Sequence, residues 1–169
     1  MTLREMFLAQ LDRESARSKK ALEQMPDDKA QWKPHDKSMP FGYLALLVAT
    51  IPSWVAAQVA QDGLDIAPKD GPKFTVEPMT TRADYIRGLE NATAKARAAL
   101  DGTNDDHLNR NWQLLVGGNV VAEGPRHEMI QDSFNHLAHH RGQMTVYLRL
   151  MGATVPALYG PSADDKSFS

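Results

Sequence analysis

The segment between Pro125 and Gly152 has the pattern of one long amphipathic helix. Proline is welcome at a helix start and glycine just past a helix end, so the element should run to about Met151. Its apolar residues recur at helical spacing and cluster on one side: Met129, Leu137, Met144, Tyr147, Leu148 and Met151. This helix is the centre of the predicted fold, an all-α four-helix bundle.

The first helix of that bundle begins with Thr2-Leu-Arg-Glu5, a capping-box pattern, and ends at Pro26. Ser15 and Ser18 fall where its apolar stripe should continue. We therefore expect a bundle interior with a polar middle.

The second helix carries an apolar inner face and is expected to end at Gly63, its C-cap. Pro52 lies inside this second helix and removes one backbone hydrogen bond, so we expect the helix to bend there and not to break. A third helix should open at Thr81, with a second capping box, and close at Gly102.

The connections complete the predicted architecture. Residues 64–79 hold three prolines and one glycine among short apolar residues, which indicates a long irregular crossover loop. The Gly117-Gly118 pair between two short apolar runs predicts a β-hairpin before the last helix. Beyond Ala153 the sequence predicts an extended tail. We expect a single domain over residues 1–169.

Composition restricts the possible functions. The 19 basic and 21 acidic side chains give a net charge of -2, without a basic cluster that could follow a phosphate backbone, so we expect no nucleic-acid partner. The chain has no cysteine, so any metal must be bound by His, Asp or Glu. We find no signal peptide and no membrane span, and expect a cytoplasmic protein.

The last helix also carries the residues that indicate chemistry. His136 and His140 lie one turn apart on the same face, whereas His139 points about 100° away from His140. An i, i+4 pair is a common way for a helix to offer two imidazoles to one divalent ion. The alternative is two ordinary histidines at the edge of the core or on the surface, and the helix alone leaves both interpretations open.

Over nearly its whole length the sequence resembles the DinB/YfiT-like superfamily. This superfamily of metal-binding four-helix proteins includes thiol S-transferases, an isomerase and many members of unassigned function. The resemblance is densest in Trp32-Lys-Pro-His-Asp-Lys-Ser-Met through Ile51-Pro-Ser-Trp54, in Asn135-His-Leu-Ala-His-His-Arg-Gly-Gln143 through Tyr147-Leu-Arg149, and in Tyr159-Gly-Pro-Ser-Ala-Asp164.

The resemblance implies a metal site of three histidines, one from helix two and a His-x-x-x-His pair from the last helix. The pair falls on His136 and His140, but the helix-two position falls on Leu47, which cannot ligate a metal. Three neutral imidazoles can bind Zn or Ni and activate a water or thiol. With one ligand removed, we expect weaker binding and loss of the facial geometry.

Substitutes for the third ligand remain open. Water could complete the site, as could a carboxylate such as Asp132 or Glu128, or His35 folding in from the connection before helix two. Asp132 would serve equally well as a hydrogen-bond partner that orients the ring of His136.

Two hypotheses about function follow. The first is a DinB-like bundle whose metal chemistry is lost or impaired, leaving a pocket that binds a small molecule or a role in assembly. The second is a working divalent-metal-dependent transferase, similar to the thiol S-transferases, or a hydrolase with a substitute third ligand. In both cases we expect a homodimer, and we expect Arg149 to brace the tail that carries Asp164.

Overall fold

The structure is a computed structural model that describes residues 1–70 and 78–167. The described residues are mostly helical and include one small three-stranded sheet. The helices are α1 (Leu3–Leu22), α2 (Phe41–Thr50), α3 (Pro52–Ala60), α4 (Arg82–Asp101), α5 (Asp105–Leu108) and α6 (Arg126–Leu150), and a 3-10 turn covers Asp27–Lys29. The strands are β1 (Gly63–Asp65), β2 (Asn111–Val116) and β3 (Asn119–Pro125).

Capping boxes begin two of the long helices, as the sequence predicts. The Thr2 side chain accepts a hydrogen bond from the Glu5 amide, and the Glu5 carboxylate accepts one from the Thr2 amide. Thr81 and Asp84 form the same reciprocal pair at the start of α4. Each box satisfies amide groups that have no partner within the helix, so α1 and α4 begin where their sequences predict.

Pro52 bends the second predicted helix by 44° and divides it into α2 and α3. Ile51 keeps helical dihedral angles and its amide still donates to the carbonyl of Leu47 at 3.0 Å, so the chain bends without unwinding. Within residues 1–70 and 78–167, no single helix is long and apolar enough to cross a membrane, and only this bent pair, taken together, has the length and composition.

The predicted helix end at Gly63 is wrong. Helix α3 ends at Ala60 and the chain turns extended at Gln61. Gly63 instead lies in β1, where an added Cβ would come within 2.8 Å of the Gln113 carbonyl oxygen. The glycine therefore permits a close approach of two strands and does not terminate the helix.

The sheet is larger than the predicted hairpin. β2 and β3 pair antiparallel through Gly117 and Gly118, both at positive φ, which confirms the hairpin. β1 adds to β2 in parallel, with Gly63 opposite Gln113, so the all-α prediction omitted a strand and the crossover loop is not irregular at its start. Much of the rest of that predicted loop, residues 71–77, lies outside the described residues.

Helices α1, α4 and α6 and the bent α2–α3 pair pack against one another around two apolar clusters. One cluster includes Leu44, Leu89 and Leu148, and the other includes Phe7 and Phe134. Polar groups lie along α1 between its contributions to the two clusters, which confirms the expected polar middle: Glu14 and Ser18 are buried, and the Ser15 hydroxyl contacts that of Thr93 at 2.9 Å.

Candidate functional site

His136 and His140 face each other across one turn of α6. Their Nε2 atoms lie 2.7 Å apart and their ring centroids 4.6 Å apart. The His140 side chain is buried, whereas that of His136 is exposed. Two nitrogens bound to one tetrahedral Zn²⁺ at ordinary bond lengths lie about 3.3 Å apart. A small opening of the exposed His136 ring would reach that spacing, so the pair fits two neighbouring positions of one ion.

Leu47 lies near the level of this pair on the facing helix. Two ring contacts show that the bent α2–α3 pair runs antiparallel to α6. Trp54 packs edge-on against His136, with centroids 5.2 Å apart, and Phe41, earlier in the chain, stacks on Tyr147, later in α6. Leu47 lies between Phe41 and Trp54 in the chain, so it falls beside the part of α6 between His136 and Tyr147. Its half-buried side chain packs against the core, and the space holds hydrocarbon.

The substitutes considered for the third ligand do not join the pair. Among residues 1–70 and 78–167, no three His, Cys, Asp or Glu side chains are grouped so that they could hold a metal ion. His35 is exposed, and its Nδ1 accepts a hydrogen bond from the Lys37 amide at 3.1 Å. Asp132 and Glu128 line a shallow cleft that α6 forms with α1. The side chains present therefore fit two positions of an ion and not three.

The environment of His136 favours its neutral form. The part of the ring that is covered by its neighbours is desolvated, which lowers the pKa of this imidazole, and the neighbouring charges of His140 and His139 lower it further. A metal ligand must be unprotonated at the coordinating nitrogen, so this depression favours coordination.

Gln143 connects the pair to the third histidine of the helix. Its Oε1 lies 2.9 Å from Nδ1 of His140, and its Nε2 lies 3.0 Å from Nε2 of His139. The direction of His139 on the helix separates it from the pair, and we did not predict a role for Gln143. The signal was present in the spacing, because Gln143 is three residues after His140 and four after His139, both on its own side of the helix.

Arg141 is turned away from the histidines into the polar middle of the core. Its guanidinium is fully buried, donates to the Glu14 carbonyl and the Ser18 hydroxyl at 3.0 Å each, and forms an ion pair with the Glu14 carboxylate. It also donates to the Tyr159 hydroxyl in the C-terminal tail. Arg141 thereby connects α6 to the tail.

Glu14 remains ionised in this buried setting. Burial acts to raise its pKa, but the hydrogen bond and charge of Arg141, with hydrogen bonds from Tyr159 and Arg17, outweigh burial and hold the pKa below its ordinary value. Glu14 follows Phe7 and Leu11 on the inward stripe of α1, but the sequence alone does not identify its partner.

Arg149 braces the tail as predicted. Its guanidinium donates to the Asp164 carboxylate at 2.7 Å, and that carboxylate also accepts the Val155 amide at 2.9 Å. The side chains of Arg149 and Arg141 thus both attach the tail to α6, and of the two guanidinium groups that of Arg149 is exposed and that of Arg141 is buried.

Comparisons with known proteins agree with this architecture. A family model described as the DinB family matches residues 2–167. The Bacillus subtilis (strain 168) protein YrdA, described as uncharacterized, is 44% identical over 89 residues, which are 52% of this chain and 51% of YrdA. The chain therefore matches about half the length of this curated relative.

Two solved structures share the fold. A DinB-like protein from Bacillus cereus ATCC 10987 has a TM-score of 0.71 at 23% identity, with 92% of this chain and 97% of that one covered. The DinB-like protein YjoA from Bacillus subtilis has a TM-score of 0.68 at 19% identity, with 95% and 99% covered. At these identities the likeness establishes the fold alone.

Proposed function

Because the chain belongs to the DinB family, we propose that it is a small-molecule-binding protein built on an incomplete histidine metal site, with metal-dependent catalysis lost or impaired. His136 and His140 would supply two ligands to a divalent ion, Zn or Ni. Leu47 stands where the resemblance implies the third. The proposal takes residues 1–169 as one domain, with α1, the α2–α3 pair, α4 and α6 as a four-helix bundle.

The observation that carries this proposal is the convergence of two Nε2 atoms, 2.7 Å apart, at the edge of the core. Two imidazoles hold an ion less tightly than three, and they leave at least half of its coordination positions to water or to a ligand. An ion bound in this way exchanges readily, which suits reversible binding better than a fixed catalytic geometry.

The surroundings support a small-molecule ligand of mixed character. Trp54 and Leu47 on the α2–α3 side are half-buried and apolar, whereas the His136 ring on the α6 side is exposed and polar. We expect a compound whose anionic or thiol group binds on the imidazole side and whose apolar part packs against Trp54 and Leu47.

Calorimetric titration of the chelator-treated protein with Zn²⁺ and with Ni²⁺ tests the proposal. We expect weak one-to-one binding to the wild type and none to His140→Ala. Leu47→His should tighten binding on the order of tenfold or more, because it restores a third imidazole. Leu46→His is the matched control, since Leu46 is also half-buried against the same core cluster, and it should not tighten binding.

Two results would contradict this proposal. The first is a wild-type affinity for Zn²⁺ that Leu47→His does not improve, which would mean that the site is already complete. The second is transfer of a low-molecular-weight thiol to an electrophilic acceptor by the Zn²⁺- or Ni²⁺-loaded wild type, lost in His140→Ala. That second result would establish a working metal-dependent transferase.

A further inference from the structure

We infer that Gln143 is a positioning residue that holds His140 as the Nδ1–H tautomer, so that the Nε2 lone pair of His140 is directed at the ion position. The inference deepens the proposed function and rests on it for its purpose. Its basis is the pair of contacts that the Gln143 amide makes, at 2.9 Å to His140 and 3.0 Å to His139.

The two ends of a carboxamide have different hydrogen-bonding roles. The Oε1 of Gln143 can only accept, so the Nδ1 of His140 must be its donor. A neutral imidazole that carries its proton on Nδ1 has a lone pair on Nε2. The Nε2 of His140 therefore accepts at the 2.7 Å contact, and the Nε2 of His136 donates there in the ion-free protein.

His139 gains a role from the other end of the same amide. The Nε2 of Gln143 can only donate, so the Nε2 of His139 accepts and its ring carries the proton on Nδ1. A carboxamide fits between two imidazoles in either orientation, provided that both rings change tautomer with it. The orientation described here leaves His140 ready to coordinate, whereas the reverse orientation places a proton on the coordinating nitrogen.

Only His136 must then change for an ion to enter. His140 already presents a lone pair, whereas His136 has to move its proton from Nε2 to Nδ1. Because the His136 ring is exposed, water can exchange that proton. Gln143 thus prepares the buried histidine in advance, which is the usual role of a hydrogen-bond partner to a metal-binding imidazole.

Long-range ¹H–¹⁵N NMR of ¹⁵N-histidine-labelled, ion-free protein, at a pH where the imidazoles are neutral, reads each tautomer directly. We expect the proton on Nδ1 of both His140 and His139 in the wild type. Gln143→Leu should leave His140 as a mixture of tautomers and weaken Zn²⁺ binding on the order of 10- to 100-fold. Gln143→Glu should keep the His140 tautomer, since a carboxylate still accepts from Nδ1, but should change that of His139.

The outcomes separate this inference from the proposed function. A wild-type His140 protonated mainly on Nε2, or a tautomer that Gln143→Leu leaves unchanged, would overturn the inference even if Zn²⁺ binds. The expected tautomers in a wild type that binds neither Zn²⁺ nor Ni²⁺ would support the role of Gln143 and overturn the proposed function.

Discussion

His140 and Arg141 are neighbours in the chain, yet they serve two contrasting regions of the protein. The histidine region, His136 with His140, opens toward the surface at His136, and its two Nε2 atoms share one hydrogen bond. In the arginine region, Arg141 with Glu14 and Tyr159, the guanidinium is fully buried and its charge is balanced by the buried Glu14 carboxylate, whereas Tyr159, which contacts both, is exposed.

The contrast separates stability from the proposed binding function along one helix. A buried charge must be paired, because an unpaired one costs several kcal/mol, so the arginine region cannot give up a partner without weakening the fold. A partly exposed histidine pair loses little when an ion or water replaces one of its contacts. We therefore expect substitutions in the arginine region to reduce the free energy of unfolding, and substitutions in the histidine region to reduce ligand binding.

The largest effect is expected for Arg141→Met, which leaves Glu14 buried without its main partner. Removal of one member of a buried ion pair typically costs about 3–5 kcal/mol. We expect the lower end, about 3 kcal/mol, because the Arg17 guanidinium still contacts Glu14 at 2.6 Å. Urea unfolding at neutral pH measures this change.

Arg149→Met is the matched control, since it makes the same change on the same helix at the exposed tail contact with Asp164. An exposed ion pair is worth at most about 1 kcal/mol. Equal losses in the two variants would show that the buried and exposed tail contacts do not differ in energy, and the distinction between the regions would fail.

The histidine pair and the arginine cluster differ in how far the sequence predicts them. The His136–His140 spacing lies within one helix, so helical geometry alone predicts that the rings meet, as they do. The capping boxes at Thr2 and Thr81 and the bend at Pro52 are local in the same sense.

The features that the sequence did not predict depend on contacts between distant segments. Glu14 meets Arg141 across 127 positions, and β1 pairs with β2 about 50 positions further along the chain. No periodicity within one element encodes such a pairing. A carboxylate on the inward stripe of α1 was a signal that a cation lies opposite, but the cation could not be identified without the tertiary fold.

A second, smaller effect is expected from acidification. The folded-state pKa of Glu14 is held below its ordinary value of 4.5, so its contribution to stability is fully present above pH 4.5 and is lost as the pH falls through the folded-state pKa. In urea unfolding across acidic pH, the wild type should lose stability more steeply below pH 4.5 than Glu14→Gln does. Parallel curves for the two proteins would refute the contribution of Glu14.

Tyr159→Phe should cost less, about 1 kcal/mol, the range of one hydrogen bond. It removes the hydroxyl that donates to Glu14 at 2.8 Å and accepts from Arg141, but keeps the ring against the Arg17 guanidinium, 4.2 Å from its centroid. Tyr43→Phe is the matched control, because the Tyr43 side chain is about as exposed (53%) as that of Tyr159 (60%), and it should leave the urea midpoint unchanged. A loss no greater than that of the control would mean that the buried cluster does not need its tail hydroxyl.

The smallest effect on stability is expected for His136→Ala, and it is the sharpest test of the contrast between the two regions. Exposed substitutions usually change the free energy of unfolding by less than about 0.5 kcal/mol. We expect the edge contact with Trp54 to add no more than about 0.5 kcal/mol, and water can replace the His136 imidazole at the Nε2 of His140. The same variant should abolish calorimetric binding of Zn²⁺, because one imidazole remains. If His136→Ala instead destabilised the protein as much as Arg141→Met, the His136–His140 pair would be a structural contact of the core. The histidine region would then not differ from the arginine region, and the proposed binding function would lose its support.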